Sequence, residues 1–247
     1  MSLADRIPAG SAICDEALAL ARDTLPEPLV NHSLRVFLLA RWLAETDGAC
    51  VAYRQGRGLE LLFVACVCHD LGAGERFNGP QRFEVEGADA AKALLLLKKG
   101  SVSSAHEASS ATDDDDKNDA AAEADAHRVW TAIAVHTSAG IAERIDPLSR
   151  LVRLGVLLDF SRATRDATPG AAAVCAEAEA LLPRLDVEEV LANAVVGQAG
   201  HGDDDGGLPP DNLTWPSTQK HPAGSWPGLL LRAHRQNPGH GGRNPAF

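Results

Sequence analysis

Residues 59–72 read LELLFVACVCHDLG, an apolar run that stops at His69-Asp70. A bilayer span needs about 20 apolar residues, so a run this short predicts a helix buried in a protein core, with the His-Asp pair in its last turn. The rest of the chain has to surround it. An imidazole beside a carboxylate supplies two donors that suit a divalent metal and leave its shell incomplete. The other donors must come from elsewhere in the sequence.

At 247 residues the chain can build one well-developed core. Aromatic residues make up only 4%, and an Ala/Leu-rich, aromatic-poor chain leans helical. Lys+Arg 23 against Asp+Glu 34 leaves a net charge of −11, which argues against a nucleic-acid or anionic-membrane surface and suits a small neutral substrate. A homo-oligomer stays open. The cysteines at 14, 50, 66, 68 and 175 are odd in number and partly embedded in apolar runs, so they read as buried reduced thiols. The opening MSLADRIPAGSAICDEA has no basic segment followed by an apolar one, so a cytoplasmic, reducing setting is the expectation.

In chain order, 11–25 reads as an amphipathic helix with Ser11 at its N-cap and Pro26 and Pro28 closing it. Asn31-His32-Ser33 opens a second, mostly apolar helix over 34–43, which places His32 in its first turn. The glycine-rich GAGERFNG, 72–79, matches no phosphate loop and reads as a pocket wall. Residues 83–97 read as a helix with Glu84 and Glu86 near its positive end, either as a charged start or orienting a histidine. Residues 98–126 are Ser/Ala/Asp-rich and aperiodic, predicting a flexible acidic insertion whose aspartates 113–116 form a solvated face. Helices follow at 127–137 and 147–160, the first carrying His136 near its end and the second ending in Asp159-Phe160. A carboxylate closing an apolar run is costly to bury unless paired or metal-bound, which makes Asp159 the natural fourth ligand. Surface helices are expected at 171–182 and 187–196, completing a helical domain over 1–199. The tail, 200–247, is rich in Gly, Pro, Asp and His, yet its Trp215, Trp226 and Leu229-Leu230-Leu231 predict an irregular segment lying on the helical body.

His32, His69, Asp70 and Asp159 thus occur in the order H…HD…D, each near an end of a predicted helix. Two imidazoles and two carboxylates suit Zn2+, Fe2+ or Mn2+. With NHSLRVF at 31–37, HDLG at 69–72, RFEVEGADAA at 82–91 and VWTAIAVHTSAGIAERIDPLSRLVRLGVLLDF at 129–160, the chain resembles the HD-domain superfamily of metal-dependent hydrolases, within it the cyanamide hydratase-like branch. Tail pieces SWPG and NP, at 225–228 and 237–238, add to the likeness.

The resemblance implies an all-α HD-domain bundle holding one zinc, with His32, His69, Asp70 and Asp159 at the ligand positions and His136 and Thr137 lining the substrate pocket as catalytic residues. It implies a hydratase, a lyase that adds water to the nitrile of cyanamide, or of a similar small substrate, to give urea. Hydroxide held on zinc is the expected nucleophile, and Thr137 or His136 the donor to the nitrile nitrogen. The closest alternative is an HD-superfamily phosphohydrolase acting on nucleotides, which needs clustered cations; Arg35, Arg41, Arg76, Arg82, Arg150 and Arg153 are scattered. A non-enzymatic binding module is the remaining reading.

Overall fold

The computed structural model describes residues 6–8, 10–103, 113–201 and 224–238. Among them are eleven α-helices and no strand. They are α1 (Ala12–Thr24), α2 (Glu27–Thr46), α3 (Gly56–Cys68), α4 (Phe83–Ser103), α5 (Asp113–Ala134) and α6 (Ala142–Ile145). The chain continues through α7 (Pro147–Phe160), α8 (Arg162–Ala167), α9 (Ala171–Leu181), α10 (Val187–His201) and α11 (Trp226–Gln236). The all-α bundle expected from the sequence is what forms.

α2 is its axis, buried at every position from 29 to 40. It begins at Glu27, with Pro26 extended at the N-cap and Pro28 in the first turn, where a missing N–H leaves nothing unsatisfied. His32 therefore lies in the second turn and not the first, because the two prolines start this helix as well as end the one before. α3 packs beside α2, with Phe37 and Phe63 edge to face at 4.8 Å. α7 lies against α2 as well, and Gly155 sets how closely: a Cβ there would stand 2.8 Å from the Val36 carbonyl oxygen. That close crossing carries Asp159, one turn further on, to His32 and Arg35. α7 starts where its sequence says, at Pro147, with the Asp146 side chain accepting from the Leu148 and Ser149 amides.

The 59–72 run is not one helix. α3 starts earlier, at Gly56, and stops at Cys68; His69 is its C-cap, Asp70 leaves helical geometry at φ −102 and ψ 9, and Leu71–Ala73 is a single 3-10 turn. The chain turns here to pass under α4: a Cβ on Gly72 would sit 1.9 Å from the Phe83 carbonyl oxygen. Residues 72–79 accordingly pack on the start of α4 and on Thr24, and the pocket wall expected there is built instead by Arg82 and Phe83.

The 98–126 stretch, expected to be flexible, is helical on both flanks; 104–112 lie outside the described residues. Alanine supplies the reason. Residues 120–122 are three alanines, Ala126 is wholly buried, and helix propensity together with that anchor carries α5 back toward an aspartate-rich first turn that suits a helix N-terminus. In the tail, residues 226–236, expected to be irregular, form α11, which starts at Ser225 as N-cap and lays Leu230 onto α10 and the core. Trp215 and most of the tail lie outside the described residues.

All five cysteines are buried free thiols, and burial pushes Cys68 up to about 12, far from a metal-ready thiolate. No described helix is long and apolar enough to cross a membrane.

Candidate metal centre and its cavity

The second turn of α2 and the end of α3 meet on three atoms. His32 Nε2 lies 3.2 Å from His69 Nε2 and 3.6 Å from Asp70 Oδ2, and His69 Nε2 lies 3.3 Å from the same oxygen. All three residues are buried.

Hydrogen bonds on the far side of each ring fix what these atoms present. His69 Nδ1 is 2.7 Å from the Cys66 carbonyl oxygen, which can only accept, so Nδ1 carries the proton and Nε2 a lone pair. His32 Nδ1 is 2.6 Å from Asp159 Oδ2 and donates in the same way. Burial lowers His69 to about 4 against the opposing pull of Asp70, so the ring is neutral at pH 7. Asp70 Oδ2 accepts no hydrogen bond.

Three electron pairs thus face one another among buried side chains, an arrangement that a bound cation relieves. The spacing fits one: donors about 2.1 Å from a tetrahedral ion stand about 3.4 Å apart. His32, His69 and Asp70 therefore suit a divalent metal, and three protein ligands leave a position open, as catalytic sites do.

Asp159, expected as the fourth ligand, does not join this group. Its carboxylate sits behind His32, accepting from Arg35 Nε at 2.7 Å on Oδ1 and from Arg35 Nη2 at 2.8 Å on Oδ2, with Arg184 Nη1 3.3 Å from Oδ1. Burial pushes its carboxyl up, but hydrogen bonds from Arg35 and His32 outweigh that and hold it well below the usual carboxylate range. Asp159 thereby orients His32 and fixes its tautomer, the arrangement that raises a ligand histidine's basicity. Arg35 was the unread clue: it follows His32 by three positions, on the same face of α2.

On the other side stands His136, in the turn after α5. Its Nε2 is 3.8 Å from Asp70 Oδ1, and its ring meets His69 edge-on at 4.9 Å. Nδ1 donates to the Ile133 carbonyl at 2.7 Å, so Nε2 is an acceptor, and burial lowers its basicity enough to keep the ring neutral. Next to it Thr137 bonds Glu84, a fully buried carboxylate in the first turn of α4 that Arg82 also clamps, Nη2 to Oε1 at 2.6 Å.

The group opens on a cavity of about 1030 Å³. Its walls are mostly apolar, from Phe83, Val156, Phe160, Trp226 and Leu229; Trp226 leans on Phe83 at 5.9 Å and Phe83 on His136 at 5.7 Å. Arg82, Arg153 and Arg162 also line it, and each lies against a carboxylate: Glu84, Glu143 and Asp166 respectively.

A family model described as HD domain matches residues 29–155, slightly over half of the chain. That span includes His32, His69, Asp70 and His136 and stops short of Asp159. No curated protein matches the chain.

Proposed function

Because the chain belongs to the HD domain family, and is thereby a metal-dependent enzyme of hydrolase type, we propose that it is a hydratase adding water to the nitrile of cyanamide to give urea, or to a similar small neutral nitrile-like substrate. The observation that carries this reading is the pairing inside the cavity. Beside a three-residue metal group, Arg82 and Arg153 are already held by Glu84 and Glu143, so the walls next to it offer polar contacts with little of the free positive charge that a phosphate ester demands.

His32, His69 and Asp70 would hold the metal. When bound, a divalent ion, zinc in this reading with Fe2+ or Mn2+ fitting the same donors, supplies Lewis acidity and lowers a coordinated water's pKa toward about 7. Asp159 keeps His32 turned toward the group, and the Cys66 carbonyl does the same for His69. His136 Nε2, unprotonated and opening on Asp70, accepts the proton released as the water oxygen bonds the nitrile carbon. The nitrile nitrogen, gaining an electron pair as one C–N π bond breaks, takes that proton back from His136 Nε2 to give the isourea HN=C(OH)–NH2, whose hydroxyl proton then moves to the imine nitrogen to leave urea. Addition across a triple bond needs no leaving group, and Phe83, Val156 and Phe160 give the cavity an apolar wall beside the metal group.

Incubating the purified, metal-loaded protein with cyanamide and separately with a nucleotide panel tests the reading. Urea formation that disappears in His69→Ala is expected. Phosphate release without urea would replace it with a phosphohydrolase.

A further inference from the structure

Glu84 does more than charge a helix start. That task belongs to Glu86, whose Oε1 accepts from the Gln81 amide at 2.7 Å just ahead of α4. Glu84 is wholly buried instead, and its Oε1 receives two donors from outside the helix: the Thr137 hydroxyl at 2.5 Å and Arg82 Nη2 at 2.6 Å. A carboxylate is seldom buried to this degree without a partner that needs it.

A hydroxyl has one proton and two lone pairs. The Thr137 proton goes to Glu84, and one lone pair faces Arg82 Nη2 at 3.4 Å. One lone pair remains, on a residue that lines the cavity beside His136. With its proton given to a Glu84 oxygen that Arg82 also clamps, Thr137 cannot donate into the cavity. It is not the donor that meets negative charge on a nitrile nitrogen; what it can hold is an N–H.

We propose that Glu84 is a positioning residue: by taking the Thr137 proton it sets Thr137 as a hydrogen-bond acceptor facing the cavity, so the site prefers neutral substrates that carry an N–H beside the reacting carbon over their N-alkylated analogues. The preference rests on the hydratase reading for the identity of the substrate, but binding tests it apart from turnover.

The test is calorimetric titration of the full metal-loaded chain with cyanamide and with dimethylcyanamide, which keeps the nitrile and has no N–H, alongside KM and kcat for cyanamide. Wild type is expected to bind cyanamide about tenfold more tightly, the size of effect an unmet acceptor produces. Thr137→Val should bring that ratio close to one. Glu84→Gln, whose amide can donate to Thr137 and turn the hydroxyl proton toward the cavity, should lower the ratio with Thr137 still in place, raising KM for cyanamide more than it lowers kcat. Glu84→Asp should recover part of the preference. Circular dichroism and metal content show whether each variant is folded and loaded; if Glu84→Gln is not, the Thr137→Val ratio decides. Equal affinities in wild type, or an undiminished ratio in folded Glu84→Gln, overturn the proposal. A clear binding preference with no urea formed supports it and removes the hydratase reading alone.

Discussion

Replacing Asp159 by Asn separates a metal ligand from a residue that orients one. The carboxylate accepts from Arg35 through both oxygens, at 2.7 and 2.8 Å, and from His32 Nδ1 at 2.6 Å. Arg35 is wholly buried, and its other acceptors among the described residues are the Leu182 and Pro183 carbonyls at 3.1 and 3.2 Å. An asparagine keeps one oxygen and turns an NH2 toward a donor, leaving a guanidinium charge without its counter-ion. Breaking a buried pair from one side costs about 3–5 kcal/mol, so the metal-free variant should lose about that much unfolding free energy in urea. Arg35→Met combined with Asp159→Leu should recover most of it, since removing both charges leaves neither stranded. Metal affinity tells the rest. Loss of a carboxylate that orients a ligand histidine lowers affinity about 10- to 100-fold, measured by competition with a chelator; His69→Ala, which removes a donor outright, should do far more. A fall in Asp159→Asn as deep as in His69→Ala would show that Asp159 binds the metal directly, and a stability change under about 1 kcal/mol would refute the buried-pair argument. The pH dependence has a definite sign. The Asp159 carboxyl is held below its unfolded value of 3.8, so its contribution is full above that value and is lost only as pH falls through the lower folded one. Asp159→Asn should lack that acid-side loss.

His69 acts on the same acid side of the curve, at higher pH. Unfolded, it binds a proton below 6.5; folded, only below about 4, so metal-free protein should gain about 3 kcal/mol as pH rises across that window, and His69→Asn should flatten the rise, which denaturant titrations at several pH values would detect or rule out. Gly72→Ala should lower the melting temperature sharply, since a Cβ there meets backbone at 1.9 Å and the shift needed costs about 3 kcal/mol, the upper end for overpacking; an unchanged melting temperature would mean that α4 does not press on the His-Asp turn as described.

Much of this architecture was legible. α7 could be placed at 147–160 because Asp146-Pro147 marks its start and an apolar stripe runs to Asp159. His32, His69 and Asp70, which the structure brings together as a possible metal site, could be named as candidates because two imidazoles and a carboxylate stood near the ends of apolar runs. What the sequence hid was the direction in which Asp159 points, since that depends on Gly155 letting α7 cross α2 and on Arg35 lying in wait beneath His32. Glu84 was hidden for another reason. An acid in a helix's first turn reads the same whether it faces water or, as here, a threonine from a turn more than fifty residues away. The acidic stretch misled through its average: Ser and Asp dominate 98–126, while the alanines leading to buried Ala126 are what extend α5.

Metal group and cavity therefore have different origins in the chain. α2 and the turn that ends α3 supply the group, and His32, His69 and Asp70 all lie inside the matched span of 29–155. The cavity draws on the start of α4, the turn after α5, the end of α7 and α11, and Trp226 stands far beyond that span. The family match accordingly bears on how a metal is held and says little about what is bound beside it. Under the proposed function, selection among substrates falls to Glu84 with Thr137 on the polar side and to Phe83, Phe160 and Trp226 on the apolar side. Of these, Phe83 is the residue that joins the two functions, because its ring touches both Trp226 and His136. A change in what packs against Trp226 can therefore reach His136 through a single side chain, without passing through any of the three metal donors.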